Sequence, residues 1–382
     1  MKWAALFAAL CCLADTVHAD EPVRLVFVGD VMLADGPGRT IAAGGDPLAG
    51  FDATLRGADA AIGNLECPLS ARGVEMERKI TTFRAAPDAV RVLAGRFAAM
   101  SVANNHSGDW GREAFVDTLD HLRDAGIRPF GGGMNLRDAH APLWLERQGL
   151  RIAVLGYNEY KPRSFEAGPH WPGIAWSSDA EVLADIAAAR RAGADVVIPF
   201  MHWGWENERA PSQRQQELAR RMIDGGADAV VGSHPHVTQG VAAWRGKPIV
   251  WSLGNFVFDG FKPGPGREGW LLHLNLDRQG VRDWHVRTAD IDADGTPRPS
   301  ARPAPCGGRD RPIRMECAVP PQQTRAAEGD PPKAGALSNG LRPLRAHGPW
   351  TGQCLSAMAG PRAGCVVANR TLDLAFAVPP PL

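Results

Sequence analysis

Between about residues 22 and 288 the chain repeats one design: a short continuous apolar run, a polar stop, then a stretch with helical periodicity. The apolar runs are VRLVFVGD (23–30), DAAIGNLE (59–66), FAAMSVANNH (97–106), RIAVLGYN (151–158), DVVIPFMHWG (195–204) and DAVVGSHPH (228–236). Runs that stay apolar at successive positions predict strands covered on both faces, as in a largely internal sheet. Between them lie DAVRVLAGR (88–96), REAFVDTLDHLRDAG (112–126), DAEVLADIAAARRAG (179–193) and PSQRQQELARRMIDGGA (211–227), which read as helices. Several of these end in Gly, the residue favoured just past a last helical turn. The segment GVAAWRGKPIVWSLGNFVFD (240–259) reads as two strands joined by a turn at Arg245-Gly246-Lys247-Pro248. Strands alternating with helices predict an α/β fold. After about residue 290 no period persists and prolines crowd, so residues 291–382 are expected to form an irregular tail.

Charge changes this picture little. The 382 residues carry 42 basic and 42 acidic side chains, which gives no basic surface for nucleic acid. Arginine pairs such as Arg190-Arg191 and Arg220-Arg221 fall on expected helices and read as solvated faces. The N-terminus adds more. Lys2, the apolar Trp3–Ala14 stretch and Val17-His18-Ala19 have the form of a secretory signal over 1–19, too short for a comfortable bilayer span. A protein exported to the periplasm or cell envelope is expected, starting near Asp20, with membrane tethering as the alternative if the segment is retained. Lipid attachment at Cys11 or Cys12 is disfavoured by the preceding Ala8-Ala9-Leu10.

Cysteine usage agrees with export. Cys306, Cys317, Cys354 and Cys365 form two pairs of equal spacing in the Pro-rich region, and disulfides Cys306–Cys317 and Cys354–Cys365 are expected among three connectivities. Zinc binding by the same four lacks the short knuckle spacing. Cys67 is left over, beside Glu66.

The polar stops carry the candidate chemistry. In open α/β sheets ligands bind beyond the carboxyl ends of the strands, where loops converge. Those ends supply Asp30, Glu66 with Asn64, Asn104-Asn105-His106, His202 with Glu206, and His234 and His236 around Pro235. Taken singly, Asp30 could cap a turn, Glu66 could be a surface charge, the asparagines could be turn residues and His202 a core histidine. Together, carboxylate, amide and imidazole donors suit a borderline divalent ion such as Zn²⁺, Mn²⁺ or Fe²⁺. Thr238 and Gln239 are placed to support the imidazoles from behind.

The ordered set VGDVML, NLECPLS, ANNHSGDWG, DTLDHLRDAGI, HWGWE, GADAVVGSHPHVTQG and SLGNFVFD, over residues 23 to 260, resembles the bacterial poly-γ-glutamate capsule-synthesis proteins (CapA-type), relatives of the calcineurin-like metallophosphatases. The resemblance implies a four-layer αββα sandwich with metal at the strand ends, in a domain spanning 20–290. It implies one or two divalent ions (Mn, Fe or Zn) on Asp30, Glu66, Asn105, His202, His234 and His236. The metallophosphatase pattern has a histidine where this chain has Met32, a poor ligand for hard ions, and a bridging aspartate for which Glu66 is the nearest carboxylate. One metal position therefore has fewer ligands.

Two functions follow as expectations. In the first, a metal-dependent hydrolase cleaves a phosphoester or a polymer amide, with His106 as general acid oriented by Asp109. In the second, a non-catalytic envelope protein binds or escorts a capsular polymer, with Trp171, Trp176, Trp203 and Trp205 lining a groove. The expected partners are an anionic polymer or phosphoester and membrane proteins of capsule assembly. The irregular tail is a further candidate for partner attachment.

Overall fold

A computed structural model describes residues 21–303, 305–309 and 314–317, and in it the apolar runs form two stacked sheets. The ten-stranded sheet is organised around Val23–Val31, which pairs in parallel with Ala60–Leu65 and antiparallel with Glu268–Asp277. Ala99–Ser101 and Arg128–Phe130 continue the parallel side. On the other side Glu268–Asp277 forms a hairpin with Gly280–Ile291. The six-stranded sheet has a parallel centre of Leu150–Asn158, Val196–His202, Val230–Ser233 and Lys247–Val250. Antiparallel strands Leu143–Arg147 and Val241–Trp244 close its edges.

The unbroken hydrophobicity of the strands follows from the layering. Phe27, Ile62 and Leu272 of the first sheet meet Ile152, Ile198 and Val231 of the second in one core. Their neighbours along the first sheet, such as Val26, Val28 and Met100, face away and pack with Phe115, Leu119 and Leu122 of helix Gly111–Asp124. On the second sheet Ala153, Leu155 and Val197 face Val182 and Ile186 of helix Asp179–Arg191 and Leu218 and Met222 of helix Gln213–Asp224. The architecture is therefore a four-layer αββα sandwich, and removing a fully buried side chain such as Ile198 should cost about 2–5 kcal/mol. Helix Gln213–Asp224 starts with a reciprocal cap: the Ser212 hydroxyl accepts from the Gln215 N–H, and the Gln215 side chain accepts from the Ser212 N–H.

Several expectations need correction. The stretch 88–96 forms no α-helix: a 3₁₀ helix covers Pro87–Val92 and turns follow it. The run 97–106 is a strand only over Ala99–Ser101, and its polar end is a loop. The long hairpin of Glu268–Asp277 and Gly280–Ile291 goes unnoticed in the sequence reading, although EGWLLHLNLD has β-rich residues before a Gly-containing turn. Strands also continue past 290: Pro297–Pro299, Cys306–Arg309 and Arg314–Cys317 extend the ten-stranded sheet. Cys306 is disulfide-bonded and its register partner is Cys317. Cys354, Cys365 and the signal segment 1–19 lie outside the described residues. The hairpin at 241–250 turns at Arg245 and Gly246, both with positive φ (50° and 72°), as a two-residue turn matched to strand twist requires. Among the described residues no helix is long and apolar enough to cross a membrane.

Candidate metal centre

The carboxyl ends of both sheets meet over one buried polar cluster. Two glycines make the close approach there feasible. A Cβ on Gly29 would lie 1.8 Å from the Gly254 oxygen, and one on Gly232 would lie 2.0 Å from the Trp251 oxygen. The glycine before Asp30 and the glycine before Ser233-His234 thus let neighbouring backbone close against the strands. His234 and His236 both have positive φ, 100° and 58°. Non-glycine residues adopt that region at an energetic cost, and such strain gathers at functional sites. The turn around Pro235 therefore holds both rings inward against the local preference of the backbone.

The donors form two groups that share one carboxylate: Glu66, His202 and His234 in one, Asp30, Glu66 and His236 in the other, with ligand atoms within 4.8 Å of one another in each group. In the first, His202 Nε2 lies 2.7 Å from Asn105 Oδ1, 3.0 Å from His234 Nδ1 and 3.6 Å from Glu66 Oε1. In the second, His236 Nδ1 is 3.4 Å from Asp30 Oδ2, and its Nε2 is 3.7 Å from Glu66 Oε1. Asn64 Nδ2 donates to Asp30 Oδ1 at 2.9 Å and approaches His202 Nδ1 at 3.2 Å.

Burial and charge make this cluster unusual. Asp30 and His234 are 0 % exposed and Glu66 likewise, so both carboxylates have left water. An unpaired ionised carboxylate so placed costs several kcal/mol, far above the roughly 1 kcal/mol net value of one hydrogen bond. Burial, and then the Asp30 charge, pushes the Glu66 carboxyl well above its usual range. Burial holds His202 and His234 well below the ordinary imidazole value, hence neutral with a lone pair to offer. Asp30 stays below the usual carboxylate range: burial pushes it up, and His236 outweighs that. For His236 burial lowers the value, but hydrogen bonding to Asp30 and its charge raise it overall. Glu66 Oε1 and His234 Nε2 are buried without a hydrogen-bond partner. An unmatched carboxylate oxygen, an unmatched imidazole nitrogen and neutral imidazoles around a shared carboxylate fit divalent ions of the Zn²⁺, Mn²⁺ or Fe²⁺ type.

Beside the cluster, His106 Nδ1 lies 2.7 Å from Asp109 Oδ2. Asp109 is fully buried, accepts from the Phe83 N–H at 2.7 Å, and is paired with Lys79. The His106 ring packs on Phe83 at 4.4 Å. Burial lowers the His106 value, and Asp109 opposes that shift without reversing it. Lys79 also donates to the Asn105 backbone oxygen at 2.7 Å.

All of the site residues chosen from sequence, Asp30, Glu66, Asn105, His106, Asp109, His202, His234 and His236, come together here. Glu206 does not; it is exposed. Met32 is fully buried with its sulfur 3.1 Å from the Ala34 nitrogen, among core residues rather than among the donors. Thr238 and Gln239 are not the supporting residues: Gln239 bonds to Gln215 and to the carbonyls of Glu208 and Ala210. That support comes from Asn255, which the sequence reading missed. Asn255 Nδ2 donates to the carbonyls of His236 and Gly266, so its Oδ1 accepts from His236 Nδ1–H at 2.9 Å and leaves Nε2 facing Glu66. Lys79 was missed too, since a lone lysine in a loop carries no pattern. Of the tryptophans, Trp203 is core, donating to the Trp251 carbonyl at 3.0 Å, whereas Trp171 and Trp205 are exposed.

The family model "Bacterial capsule synthesis protein PGA_cap" matches residues 24–260. The PGA biosynthesis protein CapA of Bacillus subtilis is 31% identical over 294 residues, 74% of this chain and 75% of that protein. The capsule biosynthesis protein CapA of Bacillus anthracis is 30% identical over 265 residues, 64% of this chain and 61% of that protein. Among solved structures, the calcineurin-like phosphoesterase YfkN of Bacillus subtilis aligns with a TM-score of 0.43 at 13% identity, over 71% of this chain and 91% of that one. A hypothetical protein from Thermus thermophilus aligns at 0.45 and 17%, over 70% and 99%.

Proposed function

The chain belongs to the bacterial capsule synthesis (PGA_cap) family, and from that premise we propose that it is an exported, metal-dependent hydrolase of capsular polymer metabolism, cleaving a polymer amide or a phosphoester. The observation that carries this reading is the pair of donor groups sharing Glu66, set beside the His106–Asp109 pair. Asp30, Glu66 and His236 would hold one ion, and Glu66, Asn105, His202 and His234 the other. Divalent ions supply Lewis acidity and a nucleophile at neutral pH. The protein's own part is the proton. Asp109 supports the His106 imidazolium through Nδ1 while burial disfavours it, so that imidazolium would be a ready acid and present its Nε2–H to a leaving group. Lys79 fixes Asp109 and the Asn105 backbone together, so acid and ligand keep one spacing.

A pure polymer binder has no use for an oriented acid beside two donor groups, so the hydrolase reading is preferred. The test is hydrolysis of a γ-glutamyl amide and phosphoester panel by the full chain reconstituted with Mn²⁺, Zn²⁺ or Fe²⁺. Metal-dependent turnover that falls about 10²–10⁴-fold in His106→Ala, with metal content unchanged, is expected. Stoichiometric metal without turnover on any substrate leaves the escort function instead.

A further inference from the structure

A cavity of about 340 Å³ shares no residue with the donor cluster and is lined by Phe51, Thr54, His285, Arg287, Ser300 and Arg302 among others. It opens on the outer face of the ten-stranded sheet. Leu271, which also lines it, packs in the layer of helix Gly111–Asp124 and stands opposite Arg287 in the strand pair. His285 and Arg287 alternate with Trp284 and Val286, which point into the core between the sheets. The turn Ala49–Phe51 and the short helix after it supply Phe51 and Thr54. Gly50 lets that turn close on the strand Pro297–Pro299: a Cβ there would lie 3.3 Å from Pro299 Cδ. Just past that strand, the Ser300 N–H donates to the Thr288 carbonyl at 3.1 Å.

None of the lining residues is acidic. Arg302 is committed to Glu268 and Asp290, and its Nε donates to Ser300 Oγ at 3.1 Å. Ser300 Oγ accepts there and keeps its own hydrogen to donate. Arg287 is exposed, and its guanidinium has neither ion pair nor hydrogen bond among the described residues. Its charge acts on the two imidazoles beside it. His273 and His285 are partners in register with rings stacked 4.5 Å apart. Burial, then His285 and Arg287, lowers His273 to about 4; burial and then Arg287 lower His285 against the pull of Asp283. This end of the cavity is therefore positive and unanswered, which repels a cation and favours an anion. The floor is different in kind: Phe51 and Leu271 are apolar, with the exposed Pro299 beside them.

We propose that this cavity binds a small molecule with an oxyanion head on an apolar body, Arg287 and the Ser300 hydroxyl taking the head and Phe51, Leu271 and Pro299 the body. A guanidinium fork meets two oxygens of a carboxylate or of a phosphonate in the same way. The volume suits a ring-sized body, being at the small end of ordinary ligand pockets. The site stands whether or not the metal centre hydrolyses anything.

The experiment is calorimetric titration of the full chain with phenylphosphonate and with benzoate, and with inorganic phosphate and benzyl alcohol as probes lacking the body or the charge. At least one aromatic anion should bind more tightly than either of those, and the tighter of the two identifies the head. Arg287→Ala should weaken that binding about fivefold or more, with Arg287→Lys intermediate because it keeps the charge and loses the fork. Ser300→Ala should weaken it about two- to tenfold. His202→Ala, which disturbs the metal centre, should leave it unchanged. Arg287 is exposed and unpaired, so its loss does not threaten the fold. Failure of both aromatic anions to bind, binding indifferent to Arg287→Ala, or binding lost in His202→Ala would each overturn the proposal. So would benzyl alcohol or inorganic phosphate binding as tightly as the aromatic anions.

Discussion

The two donor groups that share Glu66 are not built alike. On the His202–His234 side, both imidazoles are neutral, the Asn105 amide joins them, and His234 Nε2 has no hydrogen-bond partner. On the Asp30–His236 side a single imidazole is tied to Asn255 and Asp30, and the position that could have added another donor is Met32, turned into the core. The first side offers an ion two imidazoles, an amide oxygen and the shared carboxylate, the second one imidazole and two carboxylates, so the first would hold an ion with one more ligand. The difference teaches that a metal-loaded centre would be graded: one tighter position, one weaker, and a carboxylate common to both.

That grading can be broken at its common point first. Glu66→Gln removes the shared charge, and both ions should be lost from the purified full chain as read by elemental analysis; retention of one ion would make Glu66 a ligand to one position only. His202→Ala should next remove the tighter ion and His236→Ala only the weaker one, so titration with Zn²⁺ should show the high-affinity phase missing in the first variant and intact in the second. Identical losses in the two variants would contradict the asymmetry. The smallest expected effect belongs to Asn255→Ala. Loss of the hydrogen bond that fixes the His236 ring should weaken the poorer position about 10–100-fold and leave the tighter one unchanged.

Much of this was visible in the chain, for physical reasons. Strands covered on both faces must be apolar at successive positions, and their polar ends then stand out, which is how Asp30, Glu66, Asn105, His202, His234 and His236 could be found. The hairpin of Glu268–Asp277 and Gly280–Ile291 was passed over because its residues alternate with polar ones such as His273, Asn275 and Asp283, diluting the apolar run. Asn255 and Lys79 were invisible for a different reason. Each acts through a contact made across the fold, Asn255 to His236 and Lys79 to Asp109, and neither residue type is rare in a loop or short strand. Trp203 and Trp205 show the same limit: two positions apart, one is core and the other solvent-exposed, because the strand ends at His202 just before them and the chain turns out between them at Gly204, with φ 89°.

The central claim is a two-position centre bridged by Glu66. Anomalous diffraction from crystals of the full chain grown with Mn²⁺ or Zn²⁺ tests it most directly. The account predicts two peaks flanking Glu66, the stronger beside His202 and His234 and the weaker beside Asp30 and His236. A single peak away from Glu66, or none at saturating metal, would contradict it.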